Sequence, residues 1–197
     1  SLNQSNSAVL ELTDAQTLTD FFSVSTVDGT TETITVTIDG SNNPADISGT
    51  STGLVTESAP LATGDLYATD VDNSVDAWTA VTTATATSGG YGTYTISADG
   101  LWSYSLDQAN SAVIALNNEQ TLTDFFSVST VDGTTETITV TIDGSNDPAD
   151  ISGTSTGSVT ESAPSATGNL DSTDVDNDGD AWTAVTTATA TSGGYGT

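Results

Sequence analysis

Set against itself at an offset of 104 residues, the sequence repeats. SLNQSNSAVLEL from Ser1 aligns with SLDQANSAVIAL from Ser105, and the match runs without a gap to Thr197. The blocks QTLTDFFSVSTVDGTTETITVTIDGSN (from Gln16 and Gln120) and DAWTAVTTATATSGGYGT (from Asp76 and Asp180) are identical. A unit of this length owns a core of its own, so the chain reads as an array of whole domains meeting at linkers, not as a solenoid.

Punctuation sets the phase. IDGSNNPADISG and IDGSNDPADISG each follow a strong strand pattern and carry the Gly, Asn and Pro of a connection. The expected organisation is the C-terminal part of one repeat (1–42), a complete repeat (43–146) and the N-terminal part of the next (147–197). The sequence then reads as a window on a longer array, in which a missing signal peptide says nothing about export.

Alternating apolar and polar residues in FFSVSTV (from Phe21), TETITVTI (from Thr31), YTISA (from Tyr94) and LWSYSL (from Leu101) predict half-buried antiparallel strands. Val27 to Thr30 and Asp99–Gly100 are turn signals between them. Asn6 to Leu12 has room for a turn or two of helix, and no segment carries the length and period of a major one. The predicted fold is all-β, with short strands at sandwich spacing and with Phe21, Phe22, Trp78 and Trp102 in the core. The same aromatics also admit a reading as a glycan-stacking platform.

Of the 197 residues, 27 are Asp or Glu and none is Lys, Arg or His. No side-chain ion pair can form, and every charge repels every other. Binding to nucleic acid or anionic lipid is excluded, because both need basic residues against phosphates. A phosphate-binding loop lacks its Lys, and haem and zinc lack their usual His and Cys. Cysteine is absent, so disulfides do not supply stability. No apolar run approaches the ~18 residues of a membrane helix. Two readings of the carboxylates remain: a hydrated acidic surface screened over roughly 8–10 Å, or clusters around hard cations that turn repulsion into folding energy.

Spacing favours the second. In TDVDNDGDAW, Asp174, Asp176, Asp178 and Asp180 alternate and Gly179 permits a turn, which aims several oxygens at one centre like the opening of a calcium loop. No bidentate Glu closes an EF-hand, since the twelfth position counted from Asp174 is Val185. The copy TDVDNSVDAW keeps Asp70, Asp72 and Asp76 but has Ser74 and Val75, and a weaker site is expected there. A second set lies at the connections: Asp39, Asn42 and Asp46 recur as Asp143, Asn146 and Asp150, and Asp147 is added in the second. Glu57 and Glu161, in VTESAP, stand between the two sets and are candidates for either. Asp28, Asp132 and Asp99 read first as turn residues that bond their own backbone.

GTYTISADGLWSYSLDQANSAVIAL, LTDFFSVSTVDGTTETITVTIDGSNDPADISG and GNLDSTDVDND together resemble the VCBS-type repeats of RTX adhesins. The period and near-identity of the copies resemble the extender region of an ice-binding RTX adhesin. The resemblance implies tandem immunoglobulin-like or cadherin-like β-sandwich domains, type I secretion, an extracellular place on the bacterial cell surface, and calcium at the junctions. IDGSNDPAD is similar to the D-x-N-D-N linker of cadherins, which puts Asp143, Asn146 and Asp147 at ligand positions; Asn43 departs from that pattern.

The function expected is a Ca2+-stabilised structural spacer whose partners are the neighbouring repeats of the same chain. The alternative is a repeat that itself adheres, through glycan or homotypic contacts or filament and surface-layer assembly. An enzyme is not expected. These residues allow only a two-carboxylate hydrolase, and no carboxylate reads as set in an apolar pocket that would raise its pKa.

Overall fold

The computed structural model describes residues 1–73, 77–177, 179 and 182–197. It is nearly all-β. Residues 1–42 form a one-turn helix, α1 (Ser7–Leu10), and a hairpin of β1 (Thr17–Ser25) and β2 (Thr31–Asp39). The 43–146 segment holds β3 (Asp46–Gly49), β4 (Thr52–Thr56), β5 (Leu61–Thr69), β6 (Val81–Ala86), β7 (Gly92–Ile96), β8 (Leu101–Leu106), α2 (Ser111–Ile114), β9 (Thr121–Ser129) and β10 (Thr135–Asp143). Beyond it, β11 (Asp150–Gly153) pairs with β12 (Leu170–Thr173).

The 43–146 segment is a sandwich of two sheets. One has the order β4-β10-β9, with β4 parallel to β10, and the other β3-β5-β8-β7-β6. Their inner faces supply Val55, Leu66, Ile96, Trp102, Tyr104, Phe126, Ile138, Val140 and Ile142, all nearly or wholly excluded from solvent. Phe126 is the centre of this layer. Its ring stacks on Tyr94 at 4.2 Å, meets Trp102 edge-on at 5.9 Å and lies parallel to Tyr104 at 6.5 Å, the offset and T-shaped geometries that aromatic quadrupoles favour. The indole N–H of Trp102 donates to Thr50 O at 2.7 Å, so its one polar atom is satisfied.

The Asp99–Gly100 turn closes β7 onto β8 as the sequence predicts. Gly100 has φ +89° and sits where a Cβ would lie 2.0 Å from Leu66 O and 2.8 Å from Trp78 Nε1, so both conformation and space require glycine.

The copies keep one register. Thr17 pairs with Asp39 as Thr121 pairs with Asp143, and Asp46 with Thr69 as Asp150 with Thr173. Burial differs, because the β1–β2 hairpin pairs only with itself: Phe22 is 55% exposed, whereas its copy Phe126 is 1% exposed under β7 and β8. The expectation that both Phe21 and Phe22 fill a core needs correction. Phe125, the copy of Phe21, is 45% exposed even in the closed sandwich, because adjacent strand residues point to opposite faces. Trp78 and Trp102 are buried as expected. Among the described residues no helix is long and apolar enough to cross a membrane.

Candidate metal centre

Each connection between copies is strapped on both sides by hydrogen bonds, most of them between backbone and side chain. At the first, Gly40 N donates to Gln16 O at 2.9 Å, Asn42 N to Asp14 Oδ1 at 2.7 Å and Asn43 Nδ2 to Leu10 O at 3.0 Å, all toward residues 1–42. Toward the sandwich, Asn43 N donates to Asp72 Oδ2 at 2.7 Å, and Ala45 N donates to Asp132 Oδ2 at 3.2 Å and to Thr134 Oγ1 at 3.0 Å. The β5–β6 connection thereby carries Asp70 and Asp72 against the linker, and the β9–β10 turn adds Asp132.

Asp72 is 8% exposed, and its Oδ1 is buried without a hydrogen-bond donor among the described residues. A buried acceptor in that state carries an uncompensated desolvation cost, and this chain has no basic side chain to relieve it. Asp70 feels the same field. Burial raises its pKa first, with further upward contributions from Asp72 and from the charge of Asp132. Glu11, which caps α1, lines a cavity of about 300 Å3 with Asp70, Val71, Asp72 and Asn73. Asp46 shares a neighbouring cavity with Pro44, Thr69, Asp70 and Val71. Asp39 instead lines the open hairpin face with Leu2, Phe22 and Val36. Among the described residues no three acidic side chains converge to coordinating distance.

The second connection repeats the plan. Asp147 N donates to Asp176 Oδ2 at 2.9 Å, Asp176 N to Asp174 Oδ1 at 3.3 Å and Asn146 N to Asn118 Oδ1 at 3.3 Å. Asp150 and Asp174 line a cavity of about 350 Å3 with Pro148, Thr173 and Val175. The Asp174–Asp176 pair splits: a hydrogen bond with Asp176 holds Asp174 below the usual carboxylate range, while Asp176 is pushed up, its bond from Asp147 N being outweighed by Asp174 and burial. Glu57 belongs to this end of the sandwich, where its Oε2 accepts from Ser145 Oγ at 2.6 Å. Asp143 ends β10 and is half-buried; Glu161 is exposed in the Thr160–Ala163 turn. Asp76, Asp178 and Asp180 lie outside the described residues.

Sequence reasoning missed Glu11, Asp14, Asn117 and Asn118 altogether. The available signal was that Glu11 and Asp14 become Ala115 and Asn118 in an otherwise conservative copy. Asp132 does make the expected turn bonds, accepting from Thr130 Oγ1 and Thr134 N, and also reaches across to Ala45 N. Desolvation pushes its pKa up, but these hydrogen bonds outweigh it and hold the group far below the ordinary carboxylate range. A depressed folded-state pKa contributes stability that is complete above the unfolded value, near 4, and lost as pH falls through the folded one. The unfolding midpoint is expected to drop as pH is lowered below about 4, and Asp132→Asn is expected to flatten that dependence in a pH series of urea melts.

Asp124 is a different case. It is fully buried on β9 and accepts hydrogen bonds from Thr87 Oγ1, Gly89 N, Tyr91 N, Tyr104 OH and Phe125 N. A carboxylate so enclosed binds parts of the fold together and has no open side for a substrate.

A family model described as a bacterial cadherin-like domain matches residues 42–144. A solved structure titled "PcdhgB3 EC1-4 in 50 mM HEPES" is similar at 10% identity and a TM-score of 0.37, covering 82% of this chain and 50% of that one. The chain thus spans half the length of that structure. No curated protein matches it.

Proposed function

This chain belongs to the bacterial cadherin-like domain family, and on that premise we propose that it is a calcium-stiffened extender of an extracellular adhesin. In this reading residues 43–146 are one complete repeat, 1–42 and 147–197 are parts of its neighbours, and the array projects an adhesive domain from the cell surface. The observation that carries it is Asp72 Oδ1: a buried carboxylate oxygen without a donor among the described residues, at a junction strapped to both neighbouring segments, in a chain without a basic side chain. Hard divalent cations take oxygen ligands from carboxylates, amide carbonyls and water, and the first two of these are gathered at both connections.

The resemblance to RTX adhesin repeats supports secretion and surface attachment. The spacer reading is preferred to direct glycan binding because Trp78 and Trp102 are both buried within 43–146; Tyr67 there, and Trp182 and Tyr195 beyond it, are the exposed Trp and Tyr rings. With its ions removed, each linker holds like charges that repel; with them bound, it closes and stiffens.

Small-angle X-ray scattering on the chain tests this. Calcium is expected to sharpen the distance distribution into that of a rod and chelator to broaden it. Superimposable profiles in the two conditions would remove stiffening from the function.

A further inference from the structure

The two junctions are copies in sequence but differ in how their central carboxylates are satisfied. At the first, Asp72 Oδ2 accepts from Asn43 N, and Oδ1 has no donor among the described residues. At the second, the equivalent Asp176 Oδ2 accepts from Asp147 N, and Oδ1 accepts from Asn177 Nδ2 at 3.0 Å. That one amide also reaches Asp174 Oδ2 at 3.2 Å and Asn146 Oδ1 at 3.4 Å. It occupies the space between three oxygens that a cation would need. Asn117 Nδ2 adds a bond to Asp176 O at 3.3 Å, where the first copy has Thr13.

Two flanking acids change in the same sense, although Glu119 and Asp147 replace Ala15 and Asn43 in the second copy. Glu11 faces the first cavity with Asp70 and Asp72, and Asp14 holds Asn42 N; the second copy has Ala115 and Asn118 in their places. Asn43 spends its side chain on Leu10 O, a bond that the Asp147 carboxylate, an acceptor only, cannot repeat.

We propose that the junctions are unequal cation sites. The 42–46 junction, with Glu11 contributed by the preceding segment, binds a divalent cation tightly; the 146–150 junction binds weakly, because the Asn177 amide must first be displaced. This rests on the reading that the junctions bind calcium. It assigns Glu11 as a ligand, and it makes the two linkers stiffen at different calcium levels, so that the flexibility of the chain changes in steps. Counting carboxylates along the sequence orders the sites the other way, since Asp178 and Gly179 replace Ser74 and Val75.

Isothermal titration of the metal-free full chain with calcium separates these orders. Two binding classes are expected, with dissociation constants about tenfold or more apart. Glu11→Ala, the residue of the other copy, is expected to abolish the tight class, and Ala115→Glu with Asn118→Asp to strengthen the weak one. Asp178→Ser is expected to leave the tight class in place. Calcium binding in a single class, or loss of the tight class in Asp178→Ser but not in Glu11→Ala, would overturn the proposal while leaving the calcium reading standing. No heat of binding in any variant, with terbium luminescence also silent, would overturn both.

Discussion

Millimolar calcium is expected to raise the thermal unfolding midpoint of this chain by about 10–20 °C over the chelated state. A ligand that binds only the folded state at about 100 times its dissociation constant contributes ~2.7 kcal/mol, and each kcal/mol moves the midpoint of a ~100-residue domain by roughly 4–8 °C. The effect depends on site chemistry as well as charge. With 27 acidic residues and no basic side chain, sodium chloride also stabilises by screening, so the comparison is made at matched ionic strength. Magnesium demands near-octahedral geometry and gives up its water reluctantly, whereas calcium accepts six to eight irregular oxygens. The carboxylates around Asp72 line an open cavity rather than a tight octahedron, so magnesium is expected to produce only a small part of the rise. A midpoint indifferent to calcium at matched ionic strength would reduce Asp70, Asp72, Asp174 and Asp176 to a hydrated acidic surface.

Strand alternation made the sheets legible because it reports local geometry. Thr31–Asp39 and Leu101–Leu106 form where period two predicts them, whereas the strands expected from Phe21 and Tyr94 begin earlier, as Thr17–Ser25 and Gly92–Ile96, and β3 to β6 carried no clear alternation. Alternation does not say which parity faces inward, and Phe21–Phe22 leaves both parities apolar; only packing against Tyr94 and Trp102 selects the Phe126 position. The junction was legible in part. Spacing picked out Asp70 and Asp72 and the linker, but their meeting is a contact across 29 positions, from Asn43 N to Asp72 Oδ2. Glu57 meets Ser145 across 88. No local pattern encodes such distances, so Glu57 could not be assigned to one end of the repeat. Glu11 was invisible for a related reason: a lone acid capping one helical turn matters only because Asn43 Nδ2 bonds Leu10 O and draws that turn onto the linker. Composition, by contrast, bears on partners without any contact being known, since a chain without Lys, Arg or His has no basic side chain to set against a phosphate; that expectation stands on composition alone.

Replacing Asp124 by Ala is expected to cost about 3–5 kcal/mol, because it strands several buried donors at about 1–3 kcal/mol each, against a typical total of ~5–15 kcal/mol. The Asp124 carboxylate is completely buried and saturated. Oδ1 accepts from Gly89 N at 2.9 Å and Phe125 N at 2.8 Å; Oδ2 accepts from Thr87 Oγ1 at 2.6 Å, Tyr104 OH at 2.9 Å and Tyr91 N at 3.2 Å. Those donors come from the β6–β7 connection, β8 and β9, so one side chain ties the two sheets and the loop between them. Gly89 is part of the fit, because a Cβ there would lie 2.5 Å from Asp124 Oδ1. Hydrogen bonding to Asp124 also raises the Tyr104 phenol well above its usual value, behind burial as the first cause, so Tyr104 stays a donor. Truncation to Ala strands these donors in a dry interior. Asp124→Asn keeps one acceptor oxygen but turns an amide toward groups that themselves donate, and an intermediate loss is expected. Asp20, the same residue in the first copy, is exposed and accepts from Phe21 N at 2.8 Å, so Asp20→Ala is expected to stay within about 0.5 kcal/mol. Urea unfolding in saturating calcium measures all three, and calcium addition does not rescue Asp124→Ala because the lost contacts lie inside the sandwich. Equal midpoints for Asp124→Ala and the parent would show that this carboxylate does not tie the two sheets together.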